Sequence, residues 1–222
     1  MKIQFHILSL FPETIDSYVA SSVLGRAIRK KLISVKTYQL RRWGNGKHET
    51  VDESPFGGGP GMVLKIQPIY DAVRFLKSKI KGQKSKVILF STRGKKFDAK
   101  TAKRLSKYRH LILICGRYEG VDERVARYIA DEEISIGDFV LLGGEIPAMI
   151  VVDAVSRMIP GVLGKAESLE EIKGSYPVYT RPEVFLPSKK QSKKSDAWNV
   201  PQVLLSGDHK KIETWRKEHG RP

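Results

Sequence analysis

The chain has 222 residues, 41% of them hydrophobic, which suits one large domain or a medium domain with a small appendage and argues against wholesale disorder. Its 40 lysines and arginines outnumber its 24 acidic residues, and the net charge of +16 indicates a polyanionic partner, with nucleic acid ahead of an anionic membrane surface. The single cysteine, Cys115, excludes an internal disulfide and suits a reducing cytoplasm. No transmembrane span is expected, because Asp153 and Arg157 interrupt the longest apolar stretch.

Strands and helices alternate along the first part of the chain. The pattern predicts strands over residues 3–10 and 35–40 and helices over residues 20–31 and 67–79. The stretch FGGGPGM at residues 56–62 holds four glycines around a proline, which no regular element accommodates. We expect a tight loop there, or a place where a ligand or another backbone approaches closely.

Two continuous apolar stretches, KVILFS at 86–91 and HLILIC at 110–115, are typical of strands buried on both faces of a sheet. Each strand ends in a short loop, and we expect Asp98 and Asp122 to cap the helices that follow. The acidic run at 131–133 is interpreted as a solvated helix end rather than a metal site.

The segment from Ser135 to Gly164 predicts a strand, glycine turns and then a helix. Pro147 opens this helix, where its missing N–H costs nothing, and Pro160 closes it. The helix carries Asp153 and Arg157 four residues apart on one face. A surface ion pair is the alternative to a functional role for these two residues.

Three apolar strands therefore end in loops at 91–94, 116–120 and 135–144. Alternating strands and helices predict a mostly parallel sheet, and parallel sheets bind ligands at the carboxyl ends of their strands. We expect the three loops to form one small-molecule pocket, with ordinary ligand-free turns as the alternative. The absence of GxGxxG and GxxxxGK[ST] excludes a standard Rossmann or P-loop site.

Other chemistries find little support in the sequence. Five histidines and one cysteine show no zinc spacing, so no metal ligands are predicted, and no GxSxG hydrolase motif is present. Cys115 ends a buried strand and is interpreted as an inert packing residue rather than a nucleophile.

The composition changes after Gly164. Residues 176–182 predict an extended segment, 189–196 form a Lys/Ser/Gln run without apolar anchors, and 208–218 predict a helix closed by Gly220. This tail is too small to bury a stable core alone, so we expect it to pack on the main body or on a second subunit.

Six motifs occur in order over nearly the whole chain: GGGPGM at 57–62, CGRYEGVDERV at 115–125, SIGDFVLLGGEIPAM at 135–149, VSRMIPGVLG at 155–164, YTRP at 179–182 and VLLSGDH at 203–209. Together they resemble the bacterial tRNA (guanine-N1-)-methyltransferases, which modify guanine 37, 3′ of the anticodon. The resemblance implies a SPOUT-class α/β fold, with helices on both faces of a mostly parallel sheet and a trefoil knot. It also implies a cytoplasmic homodimer with active sites between subunits, S-adenosylmethionine as methyl donor, and dependence on magnesium.

The resemblance divides the chain into three parts: a SPOUT methyltransferase domain at 1–164 for cofactor binding and dimerisation, an interdomain linker at 165–182, and a small, trimmed tRNA-binding domain at 183–222. Its cofactor pocket maps onto the same three loops, with threonine at 92 where the family usually has proline. The implied cofactor-binding residues are Ser91, Thr92, Gly116, Tyr118, Glu119, Ser135, Ile136, Gly137, Asp138, Phe139, Val140, Leu141, Gly143, Gly144 and Pro147.

The resemblance also implies roles in catalysis. Arg157 matches the family arginine that stabilises negative charge developing on guanine O6. The family carries its general base as a linker aspartate, but the linker here is shorter and has none. Glu171 lies nearest to that position, with Glu170 second and a merely solvated acidic linker as the alternative. The implied RNA-binding residues are Arg26, His48, Asp52, Gly59, Pro60, Gly61, Arg181 and Lys210.

Two other function classes remain open at this point. A knotted methyltransferase acting on ribose 2′-hydroxyls would share the cofactor pocket, although the GGGPGM and YTRP motifs argue against it. A non-catalytic RNA-binding protein would share the positive charge but would not need three convergent glycine loops.

Overall fold

The computed structural model describes residues 2–164, 174–187 and 197–220. The chain divides into two compact units, residues 1–166 and 167–222. The first unit contains, in chain order, β1 (Ile3–Ser9), α1 (Pro12–Val19), α2 (Ser22–Arg29), β2 (Ile33–Gln39), a 3-10 helix (Leu40–Trp43), β3 (Asp52–Glu53), β4 (Val63–Leu64), α3 (Ile66–Lys79), β5 (Ser85–Lys96), α4 (Ala99–Leu105), β6 (His110–Ile114), α5 (Glu123–Tyr128), β7 (Glu132–Ser135) and α6 (Glu145–Ser156).

Five strands of the first unit form one sheet in the order β2-β1-β6-β5-β7, and every neighbouring pair is parallel. Strands β3 and β4 form a separate antiparallel pair. The predicted α/β class with a mostly parallel sheet is therefore confirmed. Its parallel strands place all five carboxyl ends at one edge of the sheet and all five amino ends at the other.

Helices cover both faces of the sheet, because alternate strand residues point to opposite sides. In β1, Phe5 and Ile7 belong to one hydrophobic core and Leu8 to the other. Helices α1, α2, α4 and α6 pack on the first core, and α3 and α5 pack on the second. The central residues of β5 and most of β6 are thus apolar and buried on both faces, as the continuous apolar stretches in the sequence predicted.

A chain of polar side chains crosses three strands on the α3 side of the sheet. His6 Nδ1 lies 3.1 Å from the hydroxyl of Tyr38, and His6 Nε2 lies 3.0 Å from His110 Nδ1. His110 Nε2 in turn lies 2.9 Å from the amide oxygen of Gln83. Burial is the main reason that the pKa of His6 falls to about 4.

Two local predictions need correction. The helix predicted over 20–31 is present as α2 but begins only at Ser22, because Ser21 adopts an extended backbone and its hydroxyl donates to the carbonyl of Tyr18, 2.9 Å away. The acidic run is not a helix end, since Glu132 and Glu133 begin β7. The preceding Asp131 directs this strand alongside β5 by accepting the Val87 N–H in its carboxylate, at 2.7 Å.

Within the described residues, the second unit contains β8 (Val184–Phe185), β9 (Trp198–Asn199), α7 (Gln202–Leu205) and α8 (His209–His219). Strands β8 and β9 pair antiparallel. The predicted C-terminal helix is present as α8, and the Asp208 carboxylate caps it by accepting the Lys211 N–H at 3.2 Å. The Trp215 ring stacks on the His219 ring and contacts the Tyr179 ring edge-on.

None of the helices in the described ranges has the length and apolar character that a membrane crossing requires.

Candidate active site

Strands β6, β5 and β7 are neighbours, so the segments that follow them meet at one edge of the sheet. The predicted loop at 91–94 lies inside the long strand β5, which is a difference from the sequence prediction. Phe90 and Lys95 both pair with Ile134, so the four residues between them bulge out of the ladder. A Cβ at Gly94 would lie 2.6 Å from the Ile134 backbone nitrogen, which explains why a glycine occupies the bulge.

A cavity of about 340 Å³ lies where the bulge at 91–94 meets the loops at 116–120 and 135–144. Its volume is within the range of small-molecule sites. The structure brings together nearly all of the predicted cofactor-binding residues around this cavity: Ser91, Thr92, Gly116, Tyr118, Glu119, Ser135, Ile136, Gly137, Phe139, Val140, Leu141, Gly143, Gly144 and Pro147.

Asp138 is the exception among the predicted cofactor-binding residues. It does not line the cavity, and its exposed carboxylate forms an ion pair with Lys96. Asp138 thus lies on the outer surface, although its neighbours Gly137 and Phe139 line the cavity.

Backbone contacts hold two of the three loops together. The Gly144 N–H donates to the Gly116 carbonyl at 2.9 Å. A Cβ at Gly144 would lie 2.5 Å from the Cα of Cys115, so no side chain fits between the two segments. Burial raises the pKa of the Cys115 thiol well above its usual value, which keeps the thiol neutral and fits a packing role.

A buried polar cluster beside the cavity was missed by the sequence reasoning. Glu145 is only 2% exposed, and its carboxylate accepts hydrogen bonds from the Ser9 hydroxyl at 2.6 Å and from Arg117 Nε at 3.0 Å. The Arg117 guanidinium also lies 4.6 Å from the centre of the Phe11 ring. The sequence offered one signal for this cluster. Arg117 lies in one predicted loop, and Glu145 directly follows the glycine pair that ends another.

The GGGPGM loop is attached to the same region. The Glu119 N–H donates to the Met62 carbonyl at 3.0 Å, and the Leu64 N–H donates to the Gly120 carbonyl at 3.0 Å. Gly61 has a φ of +78°, and a Cβ there would lie 2.5 Å from the Glu119 side chain. This glycine loop therefore borders the residues that line the cavity.

The comparisons with known proteins agree on one family. The family model described as tRNA (Guanine-1)-methyltransferase TrmD matches residues 1–221. The chain belongs to this family. The six motifs predicted it, and the SPOUT fold class and an enzymatic function are confirmed with it.

Two curated relatives illustrate the similarity, and both are named tRNA (guanine-N(1)-)-methyltransferase. The protein of Clostridioides difficile strain 630 is 46% identical over 220 residues, which cover 97% of this chain and 91% of the relative. The protein of Dictyoglomus turgidum is 48% identical over 221 residues, which cover 97% of this chain and 84% of the relative.

A solved structure is also similar to this chain. The crystal structure of tRNA (m1G37) methyltransferase from Aquifex aeolicus matches with a TM-score of 0.79 and 41% identity. The match covers 99% of this chain and 89% of the other.

The catalytic residues expected from the family do not all lie at the cavity. Arg157 is half-buried at the end of α6 and lies about 15 Å along the helix axis from Pro147, which lines the cavity. No ion pair joins Arg157 to Asp153 in the described part of the chain, where Asp153 instead accepts a hydrogen bond from the Tyr18 hydroxyl at 2.9 Å. Glu170 and Glu171 lie outside the described residues.

The expected RNA-binding residues are distributed over both units. In the first unit, Arg26 on α2, His48 in the turn before β3, and the Gly59-Pro60-Gly61 tip are exposed, and Asp52 in β3 is half-buried. In the second unit, Arg181 and Lys210 are exposed. Within the described ranges, no group of three or more acidic, histidine or cysteine side chains is placed to hold a metal ion.

Proposed function

We propose that this chain transfers a methyl group from S-adenosylmethionine to N1 of guanine 37 in tRNA. Membership of the tRNA (guanine-1)-methyltransferase family carries the reaction and its RNA substrate, because the match extends over residues 1–221. The cavity formed by the bulge of β5 and by the loops after β6 and β7 supports the cofactor.

The cavity residues fit S-adenosylmethionine. This cosubstrate supplies a methyl group on a positively charged sulfur. The loops at 116–120 and 135–144 expose backbone N–H and C=O groups that can hydrogen-bond a purine edge, and Gly143 and Gly144 leave room for close approach. The side chains of Phe139 and Pro147 add apolar surface. We assign these loops to cofactor binding.

The reaction demands two further groups from the protein. Guanine N1 carries a proton at neutral pH, so a base within hydrogen-bond reach must accept it. Negative charge develops on O6 at the same time, and a fixed cation lowers the energy of that state. The Arg157 guanidinium suits this second task because it stays charged and offers a planar fork of donors.

We infer that the active site requires a homodimer. Arg157 lies about 15 Å along α6 from Pro147 in the cavity lining of its own chain, so we assign it to the cavity of a second copy. Exposed apolar side chains in the same stretch of chain support this arrangement: Val140 and Leu142 before α6 are 84% and 92% exposed, and Ile146 and Ile150 on α6 are exposed as well. Adjoining exposed apolar side chains of this kind mark an association surface.

The general base is assigned to Glu171. The Glu171→Gln variant keeps the size of the side chain but removes its ability to accept a proton, so methyl transfer should fall about 100-fold or more. Binding of S-adenosylmethionine should not change. Single-turnover methylation and calorimetry measure the two quantities, with Glu170→Gln as the matched control. Undiminished transfer by Glu171→Gln would assign the base to Glu170 or to another residue.

One experiment tests the proposed function as a whole. The protein is incubated with bulk tRNA and labelled S-adenosylmethionine, and the methylated atom is identified by mass spectrometry of the nucleosides. Methylation of guanine N1 at position 37 is expected. A methyl group on a ribose 2′-oxygen would identify another SPOUT activity, and absence of both cofactor binding and transfer would leave an RNA-binding protein.

The remaining assignments follow from the same function. We propose that the main domain, residues 1–164, binds the cofactor and dimerises, that the linker at 165–182 carries the base, and that residues 183–222 bind tRNA. We also propose a cytoplasmic location, because the substrate is tRNA.

The expected magnesium dependence is tested by removing divalent ions with EDTA and then restoring magnesium alone. Restored magnesium should restore methyl transfer.

A further inference from the structure

The edge of the sheet opposite the cavity carries a row of cations. Since all five strands are parallel, the segments that precede β2, β1, β6 and β5 lie side by side in that order. These segments carry Lys31, Lys2, Lys107, Arg109, Lys81 and Lys84. Asp131, in the segment before β7, is an acidic residue at the same edge of the sheet. Its carboxylate accepts a hydrogen bond from the Val87 N–H.

The backbone beneath these cations is fixed. The Lys84 carbonyl accepts two hydrogen bonds, from the Arg109 N–H at 2.9 Å and from the His110 N–H at 3.1 Å. The Arg109 carbonyl accepts the Gln4 N–H at 2.9 Å. The Lys84 ammonium also lies 4.7 Å from the centre of the Tyr108 ring. The segments before β1, β6 and β5 are therefore joined, and the sheet fixes the backbone positions from which their cationic side chains extend.

Acidic side chains in the described part of the chain do not pair with this row. Nine ion pairs occur among the described residues, and none of them includes a cation of this row. Neighbouring strands are spaced by about 4.8 Å, so the row extends over about 15 Å. A linear positive surface of this length fits several consecutive phosphates of a nucleic acid.

We propose that this amino-edge surface binds the phosphate backbone of the tRNA substrate at a stretch remote from the methylated guanine. Five of its six cations are lysines, which bind phosphates as point charges and do not read bases. Strands of five to seven residues separate it from the cavity, a distance of about 20 Å. The RNA held here is thus a different segment from the one that enters the cavity. The inference rests on the proposed function for the identity of the RNA.

The test compares two double variants that change the net charge equally. Lys81→Glu/Lys107→Glu alters the row, whereas Arg74→Glu/Lys100→Glu alters exposed positions on α3 and α4. Equilibrium binding is measured against salt concentration for full-length tRNA and for a stem-loop that contains only the anticodon arm. All four side chains in question are exposed, so both variants should keep the thermal stability of the parent protein.

The row variant should bind full-length tRNA about tenfold more weakly. The negative slope of log K against log salt should become less steep by about 2. Its affinity for the stem-loop and its methyl transfer at saturating tRNA should match those of the control variant. Equal tRNA affinity of the two variants would overturn the inference, and so would an equal loss for tRNA and stem-loop. Failure of the unaltered protein to methylate tRNA would instead count against the proposed function.

Discussion

Gly144 lies where the backbone of one cavity loop passes that of another. Its N–H donates to the Gly116 carbonyl, and a Cβ at this position would meet the Cα of Cys115 at 2.5 Å and the Gly116 nitrogen at 2.9 Å. Both neighbours are backbone atoms, which cannot turn aside as a flexible side chain can. The glycine therefore decides how closely the start of α6 approaches the loop after β6.

Replacing Gly144 by alanine should force these two loops apart. We expect the free energy of unfolding to fall by about 2 kcal/mol, in the range of other overpacked sites. The affinity for S-adenosylmethionine should weaken as well, because both loops line the cavity. Denaturant titration and calorimetry measure the two effects. Gly164→Ala is the matched control, since a Cβ there has no neighbour within 4 Å. Equal behaviour of the two variants would contradict this reading of Gly144.

Residue identity could be predicted for most of the cavity, but side-chain direction could not. The motif placed Asp138 among the cavity residues, between Gly137 and Phe139, which do line it. Its direction depends on Lys96, a residue distant in sequence that pairs with the carboxylate. Arg117 and Glu145 were missed for the same reason, because their pairing joins two loops that meet only in the folded chain.

At the scale of elements, the polar chain from Tyr38 through His6 and His110 to Gln83 links β2, β1 and β6. His6 is 4% exposed, and its pKa falls from 6.5 to about 4, first because of burial and then because of the His110 charge. Burial also lowers the pKa of His110. Both rings are therefore neutral in the folded protein near pH 7.

The buried polar side chains should make the free energy of unfolding depend on pH. Protonation of His6 favours the unfolded state, in which the pKa of His6 is higher. The stability contributed by neutral His6 is therefore complete above about pH 6.5 and is lost as the pH falls toward 4. The loss should reach about 3 kcal/mol. Urea titrations at pH 7.5, 6 and about 5 measure it. The His6→Gln variant should show a clearly smaller dependence in this window, and an unchanged dependence would assign the effect to other groups.

The bulge of β5 illustrates what the element pattern leaves open. The apolar run at 86–91 correctly predicted a buried strand, and the following residues correctly predicted an irregular segment. Pairing of both Phe90 and Lys95 with Ile134 returns the chain to the ladder, so the irregular segment lies inside a longer strand. Such re-pairing depends on β7, which lies about 40 residues further along the chain.

At the scale of the whole molecule, the apolar surface on α6 and the position of Arg157 lead to the same proposal of a dimer. Ile146 and Ile150 are exposed one helical turn apart, at 50% and 39%. In the proposed dimer, the second copy covers these exposed apolar side chains. It also supplies the cavity to which Arg157 is assigned.

The Ile146→Asp/Ile150→Asp variant should therefore be monomeric. Charges on this surface would have to be buried without partners in the dimer, at a cost of several kcal/mol. Sedimentation velocity should show one chain, and methyl transfer should fall at least 100-fold because the partner's catalytic side chains are lost. Tyr70→Asp, an exposed aromatic on α3, is the control and should leave both properties unchanged. A dimeric, active double variant would contradict the proposed interface.

The sequence alone determined the alternation of strands and helices, the apolar stretches that become buried strands, the three irregular segments that line the cavity and the family. These features depend on local periodicity, on turn chemistry and on motifs, all of which are contained in short segments. Only the tertiary structure decided that the loops share one cavity, that Asp138 faces away from it, and that Glu145 and Arg117 pair beside it. It also placed the cations of the amino edge in a single row, because the alignment of the segments before β2, β1, β6 and β5 exists only once the parallel sheet has formed.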